Sequence, residues 1–591
     1  MTRIALYVFF HKDGILEEYV SYYLKGLKTV CSDVMLIANG SLSEESKRKL
    51  EALSVRYIIR ENKGFDFAAW KDALEYMGWD KVRQYDELVL CNCSCYGPVY
   101  PFEEMFSAMG DRTCDFWGAY RHPECQGLFP AHLQSYFLVL RNSLICSGEF
   151  KTYWDNLESA ATWNDAVAQE VRFTRYFEGK GFVSQAYVEN KNFLPYIEDP
   201  SVLLPHGLLE KYRFPFLKRK AFTEAYSLFF SLGRADQAVR SLDILRAETD
   251  FPVEMILDDL LPVMQGSELR KVLHHTFILP DDFKMEHTAS GASVALVVFS
   301  YFDDLMDECL QGMAAMPEYA DIYIVVVSEH MKQLWEERKS SITAHHIEIR
   351  MQENRGRNEN AYWLTCRDVI ENYDIICVAH DKKTPSARPG MKGRYFSEHC
   401  WRNILKSREY VHNVLALFSR ESRLGLLMPP APIFSVWSHI IGNEWADNRK
   451  LAEELYNRLN LHVPFDEHPD APYGTMFWVR GKAMAPFYRY SWTVEDFPEE
   501  PLKRADGTIL HALERMYPMI AQEAGYCSGW IMPASEAGIN YDNLYFALQK
   551  REHTQHGTGE VHFTYVKNIL KAYIKKKMLK VFNKVRSVCH A

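Results

Sequence analysis

The chain repeats itself once, in order and at a nearly fixed interval, and this limits the possible fold more than any other feature. "ALYVFFH" from Ala5 pairs with "ALVVFSYF" from Ala295, and "DVMLIANG" from Asp33 pairs with "DIYIVVVS" from Asp321. "RENKGFDFAAW" from Arg60 pairs with "QENRGRNENAYW" from Gln352, and "YDELVLCNCSCYGP" from Tyr85 pairs with "YDIICVAHDKKTP" from Tyr373. The displacement is 292 residues from Asn62 to Asn354 and 288 from Tyr85 to Tyr373. Solenoid units run roughly 20 to 50 residues, so this period means a duplicated domain. Within each copy, apolar runs of strand type alternate with helical stretches such as "SEESKRKLEAL" and "KQLWEERKSSI". That alternation predicts an α/β fold with a mainly parallel sheet in each half.

A chain of 591 residues exceeds what one core serves. The repeat divides it into a first domain over 1–205, a connector over 206–285, a second domain over 286–550 and a tail over 551–591. "AFTEAYSLFFSLGRADQAVRSLDILRAET" carries apolar residues at three-to-four spacing, so the connector is read as helical.

The net charge of −10 argues against nucleic acid as a partner, but the charge is uneven. From Val561 to Ala591 there are seven Lys, one Arg and no acid, which gives the tail +8 and the remainder −18. Val566, Ile569, Leu570, Tyr573 and Ile574 follow a helical amphipathic series. A basic amphipathic tail fits an anionic membrane surface, where each Lys or Arg contributes roughly 1 kcal/mol. "IALYVFF" is too short for a signal core, and no apolar run reaches the roughly 18 to 20 residues of a span. The 13 cysteines are an odd number without disulfide spacing. These features lead to the expectation of a cytoplasmic protein, peripheral on the inner face of a cell membrane.

Ligands of parallel α/β sheets sit beyond the carboxyl ends of the strands, which makes the strand ends informative. "ENKGFDF" places Asn62 and Gly64 in a turn that opens a helix, with free amides for an anion and Asp66 placed to accept from a ribose or base edge. Asn354, Gly356 and Asn358 repeat the pattern. Cys91, Cys93 and Cys95 alternate, which on a strand would put three thiols on one face, but no second pair at zinc spacing accompanies them.

"ENKGFDFAAW", "NCSCYGP", "DFWGAY" and "HLQSYFLVLRNS" occur in order in the first half. "ENRGRNENAYW", "HDKK", "YGTMFWVRGKA" and "FPEEPLKRADGTILHALERMYPMIAQEAGY" follow in the second. With these motifs, over about Ile4 to Leu548, the chain resembles the rhamnan synthesis protein F family of bacterial polysaccharide glycosyltransferases. The resemblance implies two GT-A-like glycosyltransferase domains that bind a nucleotide-sugar donor such as dTDP-rhamnose. The sugar would pass to a lipid-linked glycan acceptor in O-antigen or cell-wall rhamnan assembly. In the GT-A pattern an acid at the end of this strand holds Mg²⁺ or Mn²⁺ against the diphosphate. The first half keeps Asn92, Ser94, Gly97 and Pro98 of the family turn but has Cys93 for its Asp, while the second half has Asp381. Metal-independent action is the alternative for a copy without that acid.

Transfer with inversion needs a base for the acceptor hydroxyl. In "KRADGTILHALER" Asp506 is the candidate base, His511 a metal ligand or phosphate contact, Glu514 a further catalytic candidate and Arg515 a donor contact. Glu170 holds the comparable place in the first half, read as lying just ahead of a helix, and His132 and Gln134 are acceptor- or donor-side candidates. Lys382 and Lys383 can neutralise a pyrophosphate. Trp478 and Arg480, with Phe477, are read either as a sugar-stacking platform for the acceptor or as core. The losses at Cys93 and Asn358 also support a different class of function, a degenerate glycan-binding scaffold, and two fused transferases of different specificity are a third possibility.

Overall fold

The computed structural model describes residues 1–124, 130–189, 199–286, 291–383, 391–433, 440–502 and 506–556. The chain forms two compact units, Met1–His275 with His462–Phe465, and Thr276–Leu461 with the residues from Asp466 onward. The expected basic tail lies outside the described residues from 557 onward.

In the first unit the strands are β1 (Arg3–Phe9), β2 (Asp33–Asn39), β3 (Arg56–Arg60), β4 (Glu87–Asn92), β5 (Phe116–His122), β6 (Phe137–Arg141) and β7 (Ser184–Val188). They lie in the order β3-β2-β1-β4-β6-β5-β7, with β6 antiparallel to both neighbours and the other pairings parallel. A two-residue strand, His132–Leu133, extends the β6 side of β5. The second unit has β8 (Val294–Phe299), β9 (Asp321–Val326), β10 (His346–Met351), β11 (Ile375–His380), β12 (Leu424–Met428), β13 (Phe477–Arg480) and β14 (Cys527–Pro533). Their order is β10-β9-β8-β11-β13-β12-β14, again with only the β13 pairings antiparallel. The two sheets have one topology, so the sequence repeat is a repeat of architecture. Thr276–Leu279 adds a parallel strand outside β14.

The repeated Tyr-Asp dipeptide has a structural explanation. Tyr85 donates its hydroxyl to Asp33 Oδ2 at 2.8 Å, and Tyr373 donates in the same way to Asp321. The following aspartates tie the start of each central pair: Asp86 accepts from the Thr2 amide at 2.6 Å and Asp374 from the Ser293 amide at 3.0 Å. Each tie joins the start of β4 or β11 to its neighbours and fixes the register that brings the strand tips level. β4 and β8 are buried along their whole length, as expected of sheet strands covered on both faces. Most of the 206–275 stretch is helical, as its apolar spacing predicts, including Pro205–Tyr212, Gln237–Glu248 and Glu254–Leu260.

Helices follow the β3 and β10 ends at a glycine in left-handed conformation. Gly64 (φ 79°) precedes α1 (Phe65–Met77). In α2 (Trp163–Gly179) the Thr162 hydroxyl and Asp165 carboxylate cap each other's amides. Gly356 (φ 73°) precedes α3 (Arg357–Asn360), and a Cβ there would stand 2.8 Å from Phe497 Cβ, so only glycine fits. α4 (Ile509–Glu523) begins after Thr508.

Candidate active site

In the second unit the ends of β8 and β11, the start of α3 and the first turns of α4 surround a cavity of about 730 Å³, within the size range of small-molecule sites. Asn354, Asn358, Asp381, Lys382, Lys383, Asp506, His511, Glu514 and Arg515 all line it. These residues come from three separate stretches of sequence.

Asp381 is 3% exposed. Its Oδ2 accepts from the Tyr301 amide at 2.7 Å, the Phe302 amide at 2.8 Å and the Ser300 hydroxyl at 3.3 Å. Its Oδ1 is buried with no partner among the described residues. Burial pushes the carboxyl up to about 6, although the amide donors pull the other way. The preceding His380 presents Nδ1 to the Asp381 carbonyl at 2.7 Å and Nε2 to the Gly474 carbonyl at 2.8 Å. Burial lowers it to about 3, so the ring is neutral and donates to one carbonyl at a time. Lys382 Nζ lies 5.0 Å over the Phe396 ring, and Lys383 Nζ pairs with Asp304 at 2.5 and 2.6 Å.

Across the cavity, Asp506 Oδ1 accepts from the Asn448 amide at 2.8 Å and stands 3.9 Å from His511 Nδ1. Burial opposes ionisation of Asp506, but the Asn448 donor and the Arg515 charge outweigh it and hold the carboxyl below its ordinary value. Burial lowers His511, whose Nδ1 also lies 2.7 Å from the Thr508 hydroxyl. Glu514 Oε2 accepts from the Gly474 amide at 2.9 Å and the Thr475 hydroxyl at 2.7 Å, so it secures the turn ahead of β13. Arg515 donates to the Glu444 and His511 carbonyls, both at 2.7 Å.

On the α3 side Arg357 is paired with Glu500 at 2.5 Å, and Gly356 donates its amide to the Pro498 carbonyl. Asn358 is buried with Nδ2 unpartnered among the described residues. Glu359, which the sequence reasoning passed over, also lines the cavity. It adjoins Asn358 inside the repeated motif, and its first-half counterpart is Phe67, so the repeat gave no reason to select it. His380 also lines the cavity and was passed over although its counterpart is the selected Asn92.

Asp381 Oδ1 is an acceptor awaiting a partner and suits a hard cation, but among the described residues no group of three or more His, Cys, Asp or Glu is arranged to hold a metal ion. Asp381 and His511 line one cavity, and a cation there would need further oxygens from a bound diphosphate.

In the first unit Asp66, Asn92, His132, Gln134 and Glu170 are each paired within the fold. Asn62 is exposed beside the Gly64 turn. Asp66 Oδ2 accepts from Asn92 Nδ2 at 2.7 Å, and Asn92 Oδ1 accepts from the Ser94 amide at 3.1 Å and hydroxyl at 2.6 Å. Glu170 lies inside α2, not ahead of a helix as read from the sequence, because Thr162 caps eight residues earlier. It accepts from the Ser135 amide at 2.6 Å and hydroxyl at 2.5 Å and faces His132 Nε2 at 3.4 Å. Burial opposes the charge, but the His132 and Ser135 donors hold Glu170 down at about 2. Gln134 is buried against Asp199 and Ser201. β4 ends at Asn92, so the three thiols do not share one strand face: Cys91 and Cys95 are buried and Cys93 is partly exposed.

Trp478 and Arg480 are not in the cavity lining. The Trp478 ring is fully buried and donates to the Ile404 carbonyl at 2.9 Å. Arg480 donates to the Leu424 carbonyl at 3.2 Å and the Phe418 carbonyl at 2.9 Å. For Trp478 burial supports core rather than platform, since a side chain enclosed by its own fold offers no face to a sugar; Arg480 is half-buried, and its guanidinium is engaged by backbone carbonyls.

A family model described as rhamnan synthesis protein F matches residues 34–526. A curated relative, the uncharacterized protein y4gN of Sinorhizobium fredii (strain NBRC 101917 / NGR234), is 21% identical over 186 residues, 31% of this chain and 48% of that protein. The chain thus spans about half the length of the curated relative it matches. Among solved structures, the glycosyltransferase GlyE of Streptococcus pneumoniae TIGR4 aligns over 67% of this chain and 89% of its own, at 10% identity and TM-score 0.24. The inositol-1-phosphate CTP transferase of T. maritima aligns over 32% and 85%, at 11% identity and TM-score 0.22. Among the described residues no helix is long and apolar enough to cross a membrane.

Proposed function

This chain belongs to the rhamnan synthesis protein F family, and we propose that it is an inverting glycosyltransferase whose second unit performs the transfer. The donor is a nucleotide-activated 6-deoxyhexose of the dTDP-rhamnose type, and the acceptor is a lipid-linked glycan of a cell-surface polysaccharide. The observation that carries this reading is the convergence of nine sequence-selected residues from the turn into α3, the tip of β11 and the start of α4 on one cavity.

Asp506, kept ionised by Asn448, takes the proton of the acceptor hydroxyl. The acceptor oxygen bonds to the anomeric carbon as the bond from that carbon to the diphosphate breaks, and the nucleoside diphosphate leaves. Lys382 and Lys383 offset the charge on the leaving group. Asp381, through Oδ1, would hold a Mg²⁺ or Mn²⁺ ion, which when bound supplies Lewis-acid stabilisation of the departing diphosphate. The first unit, whose Asp66–Asn92 and Glu170–Ser135 groups are paired within the fold, is read as the copy that does not perform the transfer. The basic tail, outside the described residues, brings the enzyme to an anionic membrane surface on its cytoplasmic side.

The test is release of nucleoside diphosphate from a panel of sugar nucleotides, with and without Mn²⁺, by the full chain and by Asp506→Asn. Turnover of one donor by the wild type and its loss in the variant are expected. A chain that turns over no donor yet retains glycan on a column sinks this reading in favour of the scaffold.

A further inference from the structure

Two neighbouring side chains in the cavity wall carry polar atoms that the fold leaves unused. Asn358 is 8% exposed and Glu359 is 1% exposed, both line the cavity, and Asn358 Nδ2 and Glu359 Oε1 are buried without hydrogen-bond partners among the described residues. The other oxygen of Glu359 is occupied. Oε2 accepts from the Trp363 indole at 2.8 Å and from the Tyr517 hydroxyl, and the indole is itself 2.7 Å from that hydroxyl.

No ion pair to Glu359 is formed among the described residues; the nearby Arg357 is paired with Glu500. A buried carboxylate without a cation is strongly disfavoured, so the group is a carboxylic acid. Because Oε2 already receives two donors, the proton belongs on Oε1, which makes the orphaned atom a donor. Asn358 Nδ2 is a donor too. Among the described residues the fold therefore leaves two adjacent donors of the cavity wall without acceptors, which the oxygens of a ligand can supply.

Phosphate oxygens are poor candidates, because Glu514 adds a like charge that acts on the same spot. Neutral hydroxyl oxygens meet no such repulsion. We propose that Asn358 and Glu359 form a subsite for the hydroxyl groups of the transferred sugar, with Glu359 acting as a neutral acid that donates to a ring hydroxyl. The assignment rests on the glycosyltransferase reading and deepens it by giving the sugar ring, rather than the nucleotide, its own contacts.

Burial pushes Glu359 up to about 8, with Glu514 adding to the shift and Tyr517 and Trp363 opposing it. The proton is present below that value and lost as pH rises through it, so recognition of the hydroxyl belongs to the lower side. Tyr517, which donates to Glu359, is raised well above 10.0, and in the cavity wall Asp381 and His380 lie at about 6 and about 3.

The experiment measures, by calorimetry on the full chain, binding of the intact sugar nucleotide and of its nucleoside diphosphate alone. The difference reports the sugar. Glu359→Ala is expected to leave nucleoside diphosphate binding intact and to remove about tenfold of sugar-dependent affinity. Glu359→Gln, which keeps a neutral donor, restores it. The wild type loses the same increment between about pH 7 and 9 and Glu359→Gln does not. Equal weakening of both ligands in Glu359→Ala, or a Gln variant no better than Ala, overturns the subsite while leaving the transferase reading in place. A wild type that binds no nucleotide defeats that reading and the subsite with it, and the donor panel separates the two failures.

Discussion

The tips of β4 and β11 occupy the same place in two sheets of one topology, yet they treat their polar atoms in opposite ways. In the first unit Asp66 and Asn92 hydrogen-bond each other, and Asn92 and Ser94 complete the set. In the second unit the equivalents are Asn358 and His380; His380 turns to backbone carbonyls and Asn358 Nδ2 is left over. At the next position Cys93 and Asp381 are anchored alike, their amides donating to Val8 and Phe299 at 3.1 and 3.2 Å. Beyond the backbone, Cys93 offers a thiol that burial pushes up to about 11, whereas Asp381 offers an unpartnered carboxylate oxygen. Satisfied groups contribute stability, while orphaned ones cost about 1 to 3 kcal/mol each until a ligand or a water pairs them. The comparison teaches that duplication preserved the scaffold while the polar atoms at its strand tips diverged, paired with one another in one copy and partly without partners among the described residues in the other.

The sharpest way to break this comparison is to change the matched positions. Asp381→Asn retains an acceptor for the Tyr301 and Phe302 amides but removes the charge, and donor turnover is expected to fall by about 10² to 10³. Cys93→Ala is expected to leave turnover within about threefold, since a thiol is a poor ligand for hard cations. Measured nucleoside diphosphate release decides the matter. Equal losses from both variants mean that the two copies share the work.

The fold was legible because the duplication doubled every signal: one Tyr-Asp-led strand is ambiguous, but two at equal offsets define a register, and the hydroxyl-to-carboxylate ties explain why the dipeptide occurs twice. The second-unit site was legible where residues sat just past strands, as Asp381 does, or at a helix start, as Asp506 does. Glu359 and His380 escaped because their roles depend on enclosure, which no local pattern reports. Trp478 and Arg480 were ambiguous for the converse reason: an aromatic beside an arginine has the same sequence in a binding platform and in a core, and only burial separates them.

A second contrast lies in pH. Glu170 is held at about 2 against an ordinary 4.5, so its pairing stabilises the first unit above pH 4.5 and is lost as pH falls from there toward 2. His132 is raised by Glu170 despite burial, so its share is present in acid and lost as pH climbs through its elevated value. Asp66 has the opposite sign to Glu170: raised from 3.8 to about 6 by burial, it disfavours the folded state as pH rises through that interval. Glu170→Gln is therefore expected to flatten the acid limb of a denaturant-unfolding profile, worth up to about 3 kcal/mol in the wild type. An unchanged acid limb shows that the Glu170 pair is not what stabilises this copy.

The smallest expected effect tests where the two copies remain alike. Arg141 ends β6 as Arg480 ends β13, and both pin carbonyls of preceding segments. Arg141 donates to Arg112 at 2.7 Å, Cys114 at 3.2 Å and Met109 at 2.7 Å, while Arg480 donates to Leu424 and Phe418. Replacing either by Met strands buried carbonyls, at about 1 to 3 kcal/mol each way. Arg141→Met is expected to cost more, because it breaks three carbonyl contacts and also removes the 3.4 Å ion pair to Glu87, whose remaining partner is Arg3. Neither change reaches the cavity, so donor and acceptor KM values should stay constant while the denaturant midpoint drops. If Arg480→Met instead raised the acceptor KM at unchanged stability, the arginine would belong to the acceptor site after all, and the repeated strand-end arginine would have diverged in use as far as Cys93 and Asp381 have.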